Sequence, residues 1–284
     1  MQTDIRGVFN VGAVELAGSL GYAHEGGQGA WITHRAQGDN LVAREFWAGY
    51  SFDEEKNTRL RAGRFYLPYG LRVIDHTLFV RNATQTDLDS QQQYGLSLFR
   101  GGDNYRLEVM AILGNYQLRP DRYRERGYSA YVEYAAMNRL GVGMSSLLTY
   151  QGESSSPSVT GSSIRGAHGP FVRWAPFSNL ALMSEWDFLH NGPTNGGTPI
   201  LGLAGVVQAD WEFYRGVHAV ATPEMYFSNL DAGSKSASYR GWLTAAWFPY
   251  PHFDFRIDGI YGSESFAGTR MNYVMALGQA HVSL

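Results

Sequence analysis

Apolar and polar residues alternate singly along most of the chain, in windows of about ten residues, and helical spacing is nowhere sustained. The stretch AAWFPYPHFDFRIDGIYG (245–262) shows the pattern in full. Phe253, Phe255, Ile257, Gly259 and Tyr261 fall on one parity, and His252, Asp254, Arg256 and Asp258 on the other. A strand there has one greasy face and one charged face. The split recurs in Leu201, Leu203, Val207, Trp211 and Phe213 against Gln208, Asp210 and Glu212. It recurs again in Trp186 and Phe188 against Glu185 and Asp187, and in Leu107 and Val109 against Arg106 and Glu108. Windows of this kind cover 7–22, 41–52, 57–67, 91–100, 104–114, 127–136 and 139–150, then 163–174, 178–189, 200–213, 217–228, 237–248, 252–262 and 271–284. They predict an all-β chain of about fourteen strands, within bounds of about twelve to sixteen.

The connections sort into two kinds. Short turns rich in Gly, Pro, Asn and Asp, such as GGDN (101–104) and FPYPH (248–252), alternate with long polar links such as HEGGQGAWITHRAQGDN and QGESSSPSVTGSS. A sandwich has no reason to gather its long links at one end, whereas a transmembrane up-and-down barrel has short periplasmic turns and long extracellular loops. With both ends of the chain on the short-turn side the strand count is even. No linker or repeat divides residues 1–284, which read as a single β-barrel domain. A closed barrel of this size is roughly 28 Å across, too wide for side chains to fill, so its middle is wet or plugged. Two packed sheets would need no such hole, and a soluble β-sandwich binding protein stays open as a lesser alternative.

Composition narrows the function. The net charge is −3 with no basic run, which excludes a nucleic-acid partner. There is no cysteine, hence no disulfide, thiolate metal site or covalent haem attachment, and neither cofactor nor metal is expected. No apolar run approaches the ~20 residues of a membrane helix, and mean hydropathy is −0.27. The start, MQTDIRGVFN, lacks the regions of an export signal, which is expected to have been removed ahead of it. Aromatics collect near strand ends as two girdles: Tyr50 and Phe52, Tyr66 and Tyr69, Trp174 and Phe177, Trp211 and Phe213, Tyr226 and Phe227, Trp247 and Phe248.

The last window, NYVMALGQAHVSL, alternates Val274, Ala276, Gly278, Ala280, Val282 and Leu284 on one face up to its end. Here the chain resembles bacterial outer-membrane β-barrels of the porin class, with Leu284 where that class usually ends in an aromatic. The resemblance implies location in the bacterial outer membrane among lipid and lipopolysaccharide. It also implies passive transport of small polar solutes or ions, no enzymatic activity, and possible homo-oligomerisation.

The polar parity supplies the candidate pore lining: Arg61, Arg72, Arg81, Arg100 and Arg106 on one arc, Glu185, Asp187, Asp210, Glu212 and Glu224 half a circumference away, with Asp254 and Arg256 beyond. Opposed arcs of charge orient dipolar solutes and favour small polar permeants; solvated or neighbour-paired charges are the alternative. The link RFYLPYGLRVIDHTLFVRNA is too apolar for a free loop. It is expected either to fold inward as a constriction carrying Arg72, Asp75, His76 and Arg81, or to pack over the rim or a second subunit. A structural role, sheathing a multihaem cytochrome supplied by another chain, stays open beside the channel. His281 with Ser283, and Asp75-His76-Thr77, lack the third member of a hydrolytic triad. His168, His218 and His281 are scattered over different strands, which does not make a metal site.

Overall fold

The structure, a computed structural model, describes residues 2–23, 41–42, 44–71, 78–86, 92–114, 125–154, 159–266 and 269–282. The first half contains β1 (Gln2–Val11), β2 (Val14–Ala23), β3 (Leu41–Val42), β4 (Phe46–Ser51), β5 (Thr58–Phe65), a short helix α1 (Phe79–Thr84), β6 (Gln93–Gly101), β7 (Tyr105–Gly114), β8 (Arg126–Met137) and β9 (Leu140–Gln151). The second half adds β10 (Ser163–Phe177), β11 (Leu180–Pro193), β12 (Ile200–Tyr214), β13 (Val217–Phe227), β14 (Ala237–Tyr250), β15 (Phe253–Phe266) and β16 (Thr269–Val282). Among the described residues one sheet runs through β1, β2 and β4 to β16 in chain order, every strand antiparallel to the next, with β3 also pairing with β2. β3 and β4 thus form one interrupted strand, and fifteen strands lie on the path.

Each of the fourteen windows falls on strand, and the first window, 7–22, contains a hairpin. Gly12, at φ 60°, and Ala13 turn the chain between β1 and β2. The run Val11-Gly12-Ala13-Val14 carries no polar break to mark the turn, although the outward parity passes from odd (Phe9, Val11) to even (Val14, Leu16) across it. As a result Gln2 pairs with Ala23 at the long-link end. The first and last strands run in the same direction, and the even count expected from both ends lying at the short turns does not hold. At the last hairpin β15 and β16 extend to Phe266 and Thr269, so most of SESFAGTR is strand.

The period of two sets the faces. On β15, Ile257 is 67% exposed while Asp258 is fully buried. On β12, Trp211 and Phe213 are exposed while Ala204 and Val206 are buried, and on β7 Leu113 is exposed while Met110 and Ile112 are buried. Exposed aromatics ring the short-turn end, with Tyr50 and Phe52 5.3 Å apart, Trp211 and Phe213 5.7 Å apart, and Trp247 and Phe255 5.8 Å apart. Tyr150, Phe188, Tyr239 and Tyr261 are exposed toward the other end. Two of the expected girdle members sit elsewhere. Tyr69 is buried inside the barrel, and Tyr226 packs against Phe79 at 6.0 Å on the inward face.

Candidate functional site in the lumen

The link after β5 turns inward. It carries more apolar side chains than its own backbone can shelter, and those among the described residues go into the barrel interior. Leu67 and Tyr69 join a cluster with Met110, Ile112 and Leu147 on β7 and β9. Leu71 meets Tyr131 and Phe171, whose rings stack at 5.2 Å. Leu78 and Val80 pack on Ala204, Val206, Trp242 and Ile260 from β12, β14 and β15. The wall beneath the link is accordingly apolar, unlike a uniformly wetted pore.

Polar wall groups fix the link's backbone, which among the described residues forms no sheet ladder. The Tyr69 hydroxyl donates to Asp187 Oδ1 at 2.8 Å, the Gly70 N–H to Ser145 Oγ at 2.7 Å and the Leu71 N–H to Glu185 Oε2 at 2.7 Å. Ser129 Oγ donates to the Pro68 carbonyl at 2.9 Å. Further on, the Phe79 N–H donates to Glu224 Oε2 at 2.6 Å, and Arg81 pairs with Glu185, both side chains nearly fully buried. Arg165, held by Glu125, donates from Nη1 to the Thr84 carbonyl at 2.5 Å and secures the end of α1. Gly70 has φ 55°, and a Cβ there would meet Glu185 Oε1 at 2.1 Å. Only glycine allows the Arg81–Glu185 pair to close over the turn.

The candidate charges therefore divide. Glu185, Asp187, Glu224 and Arg81 come together, as anchors of the link; the acidic arc does not face a cationic arc across open water. Glu224 also accepts from Arg240 Nε at 2.5 Å and Trp242 Nε1 at 2.6 Å. Arg61 pairs with Glu108 and lies over the rings of Trp47 at 5.2 Å and Phe65 at 4.6 Å. Asp210 meets His218 Nδ1 at 2.8 Å, Glu212 accepts the Gly216 N–H at 2.8 Å, Asp254 meets His281 Nδ1 at 2.8 Å, and Arg256 meets Asp258 at 2.7 Å. Arg106 shares the inward parity of Glu108 but is exposed near the short turns. Arg100 lies on the parity of the exposed Leu96 and Leu98, and its Nε donates to the Tyr105 hydroxyl at 3.2 Å. It is at the outer rim, close enough to the turn for its charge to reach water, and does not line the pore. Arg72, Asp75 and His76 lie outside the described residues.

Sequence reasoning missed Ser129, Ser145, Arg165 and Glu125. The first three fall on the inward parity of β8, β9 and β10, so periodicity marked their side of the wall. It could not mark their partners, 61 to 81 residues away.

A meander with an apolar exterior, a charged interior and a connection folded into its lumen defines an outer-membrane porin. The sequence model described as phosphate-selective porin O and P matches residues 5–173, more than half of the chain, and the chain belongs to that family. Solved structures share the fold at low identity. The outer membrane channel DcaP of Acinetobacter baumannii is 12% identical with TM-score 0.66, over 100% of this chain and 84% of that one. Outer-membrane expressed OmpT of Vibrio cholerae is 11% identical with TM-score 0.70, over 99% and 88%. The anion-selective porin from Comamonas acidovorans is 14% identical with TM-score 0.65, over 99% and 86%. No curated protein matches the chain. The protein is a β-barrel channel of the bacterial outer membrane for passive diffusion.

Proposed function

We propose that this porin passes small polar solutes, anions in preference to cations, through the space left beside the docked link. The observation that carries the reading is the anchoring of residues 66–71 and 78–86 to the wall by Asp187, Glu185, Glu224 and Arg165, which narrows a lumen otherwise roughly 28 Å across. The preference for anions rests on the family's description. A link packed inside the barrel also takes the volume that a haem-bearing chain would need, which disfavours the sheath reading.

Planar bilayers test this with the purified chain alone in a salt gradient. The expected result is a stable open-channel current whose reversal potential has the sign of anion selectivity. Absence of current without a haem protein would replace the channel by the sheath, and a cation-selective potential would remove the anion preference. A heat-modifiability gel of the folded protein reads barrel formation and self-association together.

A further inference from the structure

The inward face of β16 differs from the rest of the lumen. Its register against β15 pairs Met271 with Glu264, Tyr273 with Gly262, Met275 with Ile260, Leu277 with Asp258, Gln279 with Arg256 and His281 with Asp254. Those β15 residues form the lumen-facing parity, so Met271, Tyr273, Met275 and Leu277 face the lumen as well. On β7, β9, β12, β14 and β15, large apolar side chains on the inward face are covered by the link, while Val8 on β1 is open as β16 is. Here Met271 is 58%, Met275 44% and Leu277 37% exposed. Tyr273 packs against the cluster of Leu78, Val80, Trp242 and Ile260, which joins this strip to the link's own apolar flank.

The strip lies between two polar zones. Toward the long links, Glu264 accepts from the Tyr273 hydroxyl and lies 4.0 Å from Arg240. Toward the short turns, Arg256 pairs with Asp258 at 2.7 Å. The accessible member of that pair is the cation, since the Arg256 side chain is 19% exposed and that of Asp258 is 0%. A small hydrated ion gains nothing from methionine and leucine and passes them in the water. A solute with an apolar body and an anionic end can lay its body on the strip, where the unbranched thioethers adapt to its shape, while its charge stays near Arg256.

We propose that the inward face of β16 is a slide for amphipathic monocarboxylates, carrying short aliphatic or aromatic acids past the constriction faster than polar anions of equal size. This rests on the channel reading and gives it a class of solute.

The test compares hexanoate, acetate and chloride currents through the folded full chain in planar bilayers, for the native protein and for Met275→Gln with Leu277→Gln. Both positions are exposed to the lumen, so the changes remove apolar surface without opening a core. The native channel is expected to pass hexanoate better than its size relative to acetate allows. The double variant is expected to lose that advantage by about fourfold or more, the factor that burial of one methylene carries, with the chloride current unchanged. If the double variant does not fold, Met271→Gln alone carries the same comparison. A hexanoate to acetate ratio that follows size in the native channel, or that survives the substitutions with chloride current intact, overturns the slide and leaves the channel standing. Absence of chloride current from the native protein removes the channel reading itself.

Discussion

Replacing Glu185 by alanine should release the inner turn of the docked link and widen the channel. The side chain serves two partners: the Arg81 guanidinium, 3% exposed, and the Leu71 N–H at 2.7 Å. Removing one member of a buried ion pair costs about 3–5 kcal/mol, because the other charge is left without compensation. The orphaned N–H adds about 1–3 kcal/mol where water cannot reach it. The nearby contacts of Tyr69 with Asp187 and of Gly70 with Ser145 each hold about 0.5–1.5 kcal/mol, or about 1.5–3 kcal/mol where a charge takes part. The loss therefore matches or exceeds what these two retain. Single-channel recordings should show a larger conductance and more open-channel noise for Glu185→Ala, with native heat-modifiability. Arg81→Met combined with Glu185→Met should recover most of the native conductance, since paired apolar replacements leave no stranded charge. Native conductance and noise in Glu185→Ala would refute the view that this pair holds the constriction.

The exterior assignment predicts that Ile257→Arg, in the middle of the outward face of β15, lowers folding stability by about 2–4 kcal/mol in urea titrations from lipid vesicles. Met275→Arg, on the inward face, where the side chain is 44% exposed and faces Ile260 across the register, should cost little in the same assay; equal losses would contradict the faces. At Gly143 a Cβ would meet the Phe171 ring at 2.0 Å, so Gly143→Ala should displace the Tyr131–Phe171 stack and cost about 1–3 kcal/mol, measured by the same titration. In the turn at 52–57, the Asp53 carboxylate accepts the N–H groups of Asn57 at 2.6 Å and Thr58 at 2.7 Å. The bond from Asn57, foremost, holds its pKa below the usual carboxylate range. A depressed folded pKa means that the stabilisation is present above the unfolded value, about 3.9, and is lost as pH falls through the folded one. Amide resonances of Asn57 and Thr58 should move together over that acid range, and Asp53→Ala should abolish the shared transition.

Much of the wall was legible because a strand with different solvents on its two faces writes that difference into every second residue. Asp254, Arg256 and Asp258 against Phe253, Phe255 and Ile257 needed no tertiary information. The β1–β2 hairpin was lost because its turn of Gly12 and Ala13 carries no polar break, and only the change of outward parity from odd to even marks it. The lumen was legible only as a set of sides. Glu185 and Arg81 were both candidates, yet their pairing depends on where a connection goes after it leaves the sheet, and no local pattern encodes that. Arg100 shows the opposite limit. Near a strand end an outward charge is solvated, so its type no longer reports its side.

The docked link joins the fourth and fifth strands of the path, but its anchors Glu185 and Glu224 belong to strands that follow it in the chain, 114 and 145 residues beyond the N–H groups they hold. A sheet that has laid down only β1 to β9 can hold residues 67–70 through Ser129, Ser145 and the cluster of Met110, Ile112 and Leu147, but has no partner for the Leu71 N–H or for the start of α1. The bore therefore depends on both ends of the sheet at once: a sheet without β13 would lack the Glu224 anchor, with nothing from that strand to hold α1.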